Sequence, residues 1–429
     1  MEILTFIVFL LKSSTDRVFG LLQIHVAGME MTAGAILNLG VLGLAALLTL
    51  RRAGSGSFPF RVWTPFILAA GASVGWSSDK SEGVRLFLAL LTYVSFFAMP
   101  FLVRPVFRYS AHLLKGIIYS SIVPAAIGIL ELIFFRDPSG RVQSTFSHPN
   151  SFAFYLMIVL GVIFFLQSSS AVQFTPFMRK LMVPYSGLLL GLLIMTQTRA
   201  AWAGTLIILA TYAIFVNRRY LLALPLLPLL LFIPAVGDRL ADLQHGAEYT
   251  GAMGSRADEL NSFAWRELMW KSALADVADT PVFGKGLASF APNSLKFFPL
   301  AANTQKTFYR GGWGAHNTYV QAFYETGAVG LFCYLMIFIG LFSRVLRYLK
   351  ADPRGAMMVA STILAYMAAN FSDNIFYYGS LNWYFWGFLG IVFAKWAQRQ
   401  SELSFSFSRL ASRSRLAYRY GEADLKPSA

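Results

Sequence analysis

The sequence predicts an all-α polytopic membrane protein of about 11–12 transmembrane helices with one large extracytoplasmic insert. Three observations predict it. Of 429 residues, 56% are hydrophobic and 13% are charged, whereas a soluble globular protein carries about a quarter charged residues. Apolar runs of membrane-crossing length recur along the chain, and positive charge collects in alternate loops. Together these exclude an ordinary water-soluble enzyme, a disordered chain and a collagen-like fibre. The single cysteine, Cys333, excludes a disulfide framework and a cysteine-based metal site. A formal charge of +15 would suggest nucleic acid in a soluble protein. Here the placement of the charges points to a membrane surface, so no nucleic-acid partner is expected.

The elements follow in order. Residues 1–30 contain an apolar stretch over 3–27 that Lys12, Asp16 and Arg17 interrupt, which predicts a broken or interfacial helix. A cleavable signal is not expected there, because Glu2 is acidic and no small-residue cleavage site follows. The first part of the bundle, 31–236, holds apolar runs at 31–50, 62–77, 84–103, 111–135, 151–167, 182–197, 200–217 and 220–236. Residues 237–316 form a polar insert with eight basic and eight acidic residues, long enough to fold as a cap. The second part of the bundle, 317–395, holds runs at 317–343, 355–376 and 382–395, and 396–429 is a basic tail. Each run is near the ~20 residues that cross ~30 Å of hydrocarbon. If the spans alternate, Arg51, Arg104, Arg179, Arg218, Arg344 and the tail fall on one side, which the positive-inside rule makes cytoplasmic. The insert then lies on the opposite, extracytoplasmic side.

Polar groups at the outer rim are the candidates for chemistry, since they are costly there. Arg141 and His148 precede the run at 151–167. Pro149 holds His148 extended, and Asn150 or Ser151 can cap the helix. Arg199 sits in a nearly loopless hairpin, where it either snorkels to lipid phosphate or faces the bundle as a phosphate-binding guanidinium. Residues 262–277 read as an amphipathic helix with Phe263, Arg266, Trp270, Ala273, Leu274 and Val277 on one stripe. Arg266 on that apolar face needs a partner, Glu267 or Asp258, or a ligand. Pro281–Gly286 is a turn, and without βαβ context it does not make a dinucleotide site. His316 opens the run at 317–343; Asn317 follows it, and Tyr319, Phe323, Gly327 and Gly330 are expected on roughly one helix face. Its ordinary pKa suits proton transfer near neutral pH. Glu131, Glu325 and Asp373 are acids expected in the outer half of the membrane, either paired with the arginines or orienting them. No His/Asp/Glu cluster has metal-ligand spacing, so neither metal nor other cofactor is expected.

These pieces resemble the O-antigen ligase and O-antigen polymerase superfamily of bacterial membrane glycosyltransferases. The matching stretches are Arg141 with Phe146-Ser-His148-Pro149-Asn150, Thr198-Arg199-Ala-Ala-Trp202, Trp265-Arg266-Glu-Leu-Met-Trp270 with Pro281 and Gly284-x-Gly286, and His316-Asn317-Thr318-Tyr319 with Glu325-x-Gly327-x-x-Gly330. The resemblance covers about residues 30–395 and rests on the set in order, since no single piece is specific. It implies a GT-C-like bundle that moves a glycan from undecaprenyl diphosphate to an acceptor hydroxyl on the periplasmic face, by metal-independent inverting transfer. It assigns diphosphate binding to Arg199 and Arg266 and the catalytic role to His316. Arg141, His148, Asn317 and Tyr319 are substrate-binding candidates, and Glu131, Glu325 and Asp373 are orienting acids.

Ligase action on lipid A–core is the first reading, with a polymerase joining lipid-linked repeat units as the alternative, because donor chemistry is common to both. A transporter of the same lipid-linked glycan would also want outward arginines. It would, however, place polar groups near the midplane, often in paired broken helices, and here they crowd one leaflet. A purely structural membrane scaffold predicts that the arginines can be removed without consequence for glycan assembly.

Overall fold

In this computed structural model, residues 11–26, 29–51, 58–103, 110–134, 140–170, 172, 174–222, 232, 236–237, 262–298 and 312–421 are described. The fold is all-α and polytopic. Its elements are α1 (Asp16–Leu21), a hairpin of β1 (Gln23–Val26) and β2 (Met29–Thr32), then α2 (Ala33–Arg51), α3 (Phe58–Ser73), α4 (Lys80–Leu102), α5 (Ser110–Tyr119), α6 (Ile122–Phe134), α7 (Pro149–Ser168), α8 (Pro176–Met195) and α9 (Arg199–Phe215). The insert contributes α10 (Ser262–Asp276) and α11 (Phe290–Phe297), and the chain ends in α12 (Thr318–Tyr348), α13 (Pro353–Ser372) and α14 (Gly379–Gly421). Among the described residues, seven stretches are long and apolar enough to cross a membrane: α2, α4, α5–α6, α7, α8, α12 and α13; α9 is a shorter apolar helix. The expected span at 220–236 and much of the insert lie outside the described residues. Among the described residues, the antiparallel β1–β2 hairpin, with Gln23 opposite Thr32, departs from all-helical structure, and the sequence reading did not foresee it.

The centre of the bundle is α7. Pro149 stands in its first turn, and every residue from Ser151 to Leu166 is buried. A helix apolar all round has no preferred face and belongs inside. Around it, α9 packs on α13, α4 on α14, α3 on α12 and α2 on α4. Aromatic side chains fill the seams: Trp63 meets Trp386 edge-on at 4.5 Å, and Tyr366 stacks on Phe385 at 3.8 Å. The last helix runs without a break through 395–396 to Gly421, so the basic tail continues the helix that carries the apolar run at 382–395.

Two expectations about elements are corrected. The run beginning at Thr318 is not one continuous helix, because Gly327 takes φ 67°, ψ −170°. The insert segment Pro281–Gly286 occupies the break. The Lys285 and Gly286 N–H groups donate to the Tyr324 and Glu325 carbonyls at 2.8 and 2.9 Å, and the Ala328 N–H donates to the Pro281 carbonyl at 2.8 Å. Tyr319 and Phe323 therefore do not share a helix face with Gly330. The second correction concerns α10. Its buried residues are Met269 and Ala273, followed by Val277, while Phe263 and Leu274 of the expected stripe are exposed. The helix packs against α11 and α12 rather than on a flat surface, and Trp265, Leu268 and Trp270 close that contact.

Candidate active site

The arginine-bearing pieces converge at one end of the bundle, where α7, α9 and α12 begin and α8 and α13 end. At the start of α7, His148 is itself the N-cap: it is extended, and its Nδ1 accepts the Asn150 N–H at 3.1 Å. That frees the Asn150 side chain, expected only as a cap, to bridge. Its Oδ1 accepts Arg141 Nη2 at 2.6 Å, and its Nδ2 donates to Asp373 Oδ2 at 2.6 Å. Arg141 also donates from Nε to the Thr196 carbonyl at 2.9 Å and from Nη2 to Thr198 Oγ1 at 3.2 Å. Those bonds fasten the loop before α7 to the α8–α9 turn. Gln197 in that turn is left-handed at φ 54°, which lets the chain reverse within three residues and sets Arg199 at the first position of α9.

On the other side, the Trp270 indole donates to the Ala315 carbonyl at 2.7 Å, and the Asn317 N–H donates to Asn374 Oδ1 at 2.9 Å. Pinned from both sides, His316 is held left-handed at φ 48°. Such a conformation persists in a non-glycine residue when its surroundings over-determine it. Its Nδ1 lies 3.3 Å from Asp373 Oδ1, and its side chain is 39% exposed against 2% for Asp373. Asp373, expected inside a span, stands just past the end of α13 as its C-cap, where a helix dipole opposes negative charge. Its carboxylate also accepts the Tyr378 hydroxyl at 3.0 Å and the Asn374 N–H at 2.8 Å. Burial alone would push its pKa up; the bonds from His316, Asn150 and Asn374 outweigh burial and hold the carboxyl below its ordinary value.

Arg141, Asn150, Thr198, Arg199, Arg266 and Asp373 line a cavity of about 90 Å³. Three guanidinium groups thus share a cavity with one carboxylate. Burial lowers the pKa of Arg266; Asp373 opposes that shift, and the nearby Arg199 charge adds to it. The acid next to Arg266 in sequence is engaged elsewhere, since Glu267 pairs with Lys271 at 2.6 Å; Asp258 lies outside the described residues. The Trp265 ring stands 5.8 Å from the His316 ring. His148 is electrostatically coupled to Arg141, Asp373 and His316, and desolvation followed by the Arg141 charge lowers its pKa. The cavity's chemistry suits a group carrying at least two negative charges, and its one carboxylate, Asp373, meets the His316 imidazole.

Other predicted residues serve elsewhere. Asn317 caps α12, accepting the Tyr319 and Val320 N–H groups at 2.9 and 3.1 Å. The Tyr319 hydroxyl donates to the Met367 carbonyl at 2.8 Å. Glu131 accepts the Gln143 and Ser144 N–H groups at 3.2 and 2.7 Å, anchoring the loop that carries Arg141. Glu325 accepts Gln321 at 2.9 Å and the Tyr377 hydroxyl at 2.7 Å. Neither acid pairs with the arginines as expected, because each meets closer donors on its own side of the bundle. Asn150, Thr198 and Tyr378 are the participants that sequence reasoning missed. Asn150 lay within a motif already singled out, but a capping role accounted for it; nothing local marks Tyr378. Among the described residues, no three His, Cys, Asp or Glu side chains gather as metal ligands would.

Residues 184–335 match the family model described as O-antigen ligase. The match includes Arg199, Arg266 and His316, while Arg141, His148, Asn150 and Asp373 lie outside it. No curated protein matches the chain.

Proposed function

We propose that this chain, whose residues 184–335 match the O-antigen ligase family model, transfers a glycan from undecaprenyl diphosphate to an acceptor hydroxyl on the periplasmic face of a bacterial inner membrane. The reading is O-antigen ligase action, with lipid A–core as acceptor; joining of lipid-linked repeat units is the alternative. The observation that carries it is the shared cavity: guanidinium groups from three separate stretches lie beside one His–Asp pair.

The chemistry follows from those groups. Arg141, Arg199 and Arg266 hold the donor's diphosphate and stabilise the charge it gains as the anomeric C–O bond breaks. With its Nδ1–H donated to Asp373, His316 leaves Nε2 free to accept a proton. The acceptor hydroxyl loses that proton as its oxygen attacks the anomeric carbon, and the bonding pair leaves with the diphosphate. Attack from the face opposite the leaving group inverts the anomeric centre. The guanidinium groups supply the positive charge, so no metal ion is needed in this scheme.

The test supplies purified full-length protein in nanodiscs with a lipid-diphosphate glycan and either lipid A–core or a second lipid-linked repeat unit. A gel shift on lipid A–core alone supports the ligase, and a shift on the repeat alone supports the polymerase. If neither is extended, while the protein moves the lipid-linked glycan across a bilayer, the enzymatic reading fails and a transporter takes its place.

A further inference from the structure

The left-handed backbone at His316 is held by side chains that the transfer chemistry does not use. The Ala315 N–H donates to Gln321 Oε1 at 3.2 Å, and the Asn317 N–H donates to Asn374 Oδ1 at 2.9 Å. The two side-chain amides also meet each other, Asn374 Nδ2 donating to Gln321 Oε1 at 2.6 Å. The other end of Gln321, Nε2, donates to Glu325 Oε1 at 2.9 Å, one turn further along α12. Glu325 in turn accepts the Tyr377 hydroxyl, 2.7 Å from either oxygen, and the backbone N–H groups of Ala288 and Phe290 in the insert. Glu325, Gln321 and Asn374 are all buried.

A side-chain amide can present either end to a neighbour, so a chain of two amides has two polarities. Glu325 removes the choice. Four donors converge on it, and a carboxylate accepts that many whereas an amide oxygen does not. Having no donor of its own, it takes the N–H end of Gln321, which turns Oε1 toward Ala315 and Asn374. Asn374 must then donate from Nδ2, and its Oδ1 faces the Asn317 N–H. The reverse polarity would set N–H against N–H on both sides of His316, in a buried place where an unmet donor is costly. Space is kept for this arrangement, since a Cβ on Gly314 would collide with the Asn374 amide. The Asn374 N–H also donates to Asp373 Oδ1 at 2.8 Å, so one residue steadies both members of the His–Asp pair. Glu325 was expected to orient arginines; its bonds lead to the histidine instead.

We propose that Glu325, Gln321 and Asn374 are positioning residues: the buried carboxylate sets the polarity of the two amides, and the amides hold the His316 backbone so that its ring meets Asp373. The effect on rate rests on the transfer reading above, whereas the hold on the backbone is measurable without it.

The experiment uses the full chain in nanodiscs. Glu325→Gln keeps the volume but offers a donor as well as an acceptor, so the amide chain can reverse. Adding Gln321→Glu exchanges carboxylate and amide and restores an acceptor facing Ala315 and Asn374. Gly314→Ala displaces the Asn374 amide while leaving every bonded group in place. Glu325→Gln and Gly314→Ala should each lower kcat about tenfold or more, with donor and acceptor KM within about twofold of the parent chain, and the exchanged pair should recover most of the loss. A merely structural role predicts that a second substitution in the core makes matters worse. An exchanged pair no faster than Glu325→Gln therefore overturns the proposal, as does unchanged kcat in Glu325→Gln or Gly314→Ala. Amide hydrogen exchange over residues 313–319 is followed on the same preparations. It should be faster in both single variants and slow again in the exchanged pair; equal exchange in all of them overturns the proposal. If the parent chain transfers nothing, the transfer reading fails by itself and the exchange rates alone decide. If Glu325→Gln does not fold, Gly314→Ala decides by the same criteria.

Discussion

At the residue scale, the proposed mechanism assigns binding to the arginines and proton transfer to the His316–Asp373 pair, so the two are separable. His316→Ala should lower kcat by at least about a hundredfold, while the affinity for the lipid-diphosphate donor stays within about twofold; single-turnover rates and a donor-binding assay separate the two. Arg199→Ala should do the reverse first, weakening donor binding about tenfold. Asp373→Asn keeps the volume but removes the charge that orients the imidazole, so kcat should fall more than donor affinity. The pH dependence of stability follows from the same carboxyl. Its pKa in the folded chain lies below the ordinary 3.8, so its contribution is fully present above that value. It is lost only as pH falls through the lower folded value. Melting temperatures of the parent chain and Asp373→Asn should therefore differ at neutral pH and converge in acid well below the ordinary carboxyl range. Arg199, Arg266 and His316 were legible from sequence because a charge or an imidazole at a membrane rim needs a reason. Asn150 and Tyr378 were not, since an uncharged polar residue near a helix end is already explained by capping or the interface.

At the scale of elements, the break in α12 carries the insert. Gly327 has a backbone conformation that side-chain-bearing residues avoid, and a Cβ there would collide with the Val282 carbonyl. Gly327→Ala should cost about 2 kcal/mol or more, read as a lower melting temperature and as faster amide exchange at Lys285 and Gly286. Periodicity could not reveal this break, because the flanking residues fit a helix on both sides and the competing hydrogen bonds come from a segment some forty residues away. At the opposite end, buried Asp352 accepts from Ser169 Oγ at 2.5 Å, the Ser170 N–H at 3.0 Å and the Trp396 indole at 3.3 Å, tying α7, α13 and α14 together. Asp352→Ala should destabilise by about 2 kcal/mol without changing donor affinity, so melting and donor binding measured on one preparation check it.

For the whole molecule, the arginine cavity and the basic loops stand at opposite ends of the same helices: α9 runs from Arg199 toward Arg218, and α12 from His316 toward Arg344 and Arg347. In a Cys333→Ala background, Ser78→Cys should react with a membrane-impermeant maleimide on intact cells, and Lys350→Cys only after permeabilisation. Equal labelling of both before permeabilisation would reject the proposed orientation. Sequence by itself determined the helical membrane class, most of the spans and the arginines and histidine worth testing, because hydrocarbon taxes every unpaired polar group and so writes depth into composition. The three-dimensional packing alone decided which of those groups meet. Bonds such as Asn150 to Asp373, the loop seated at Gly327 and the Gln321–Asn374 amide pair join segments far apart along the chain. Contacts of that kind depend on how helices turn about their axes and seat against one another, and hydropathy carries no record of either.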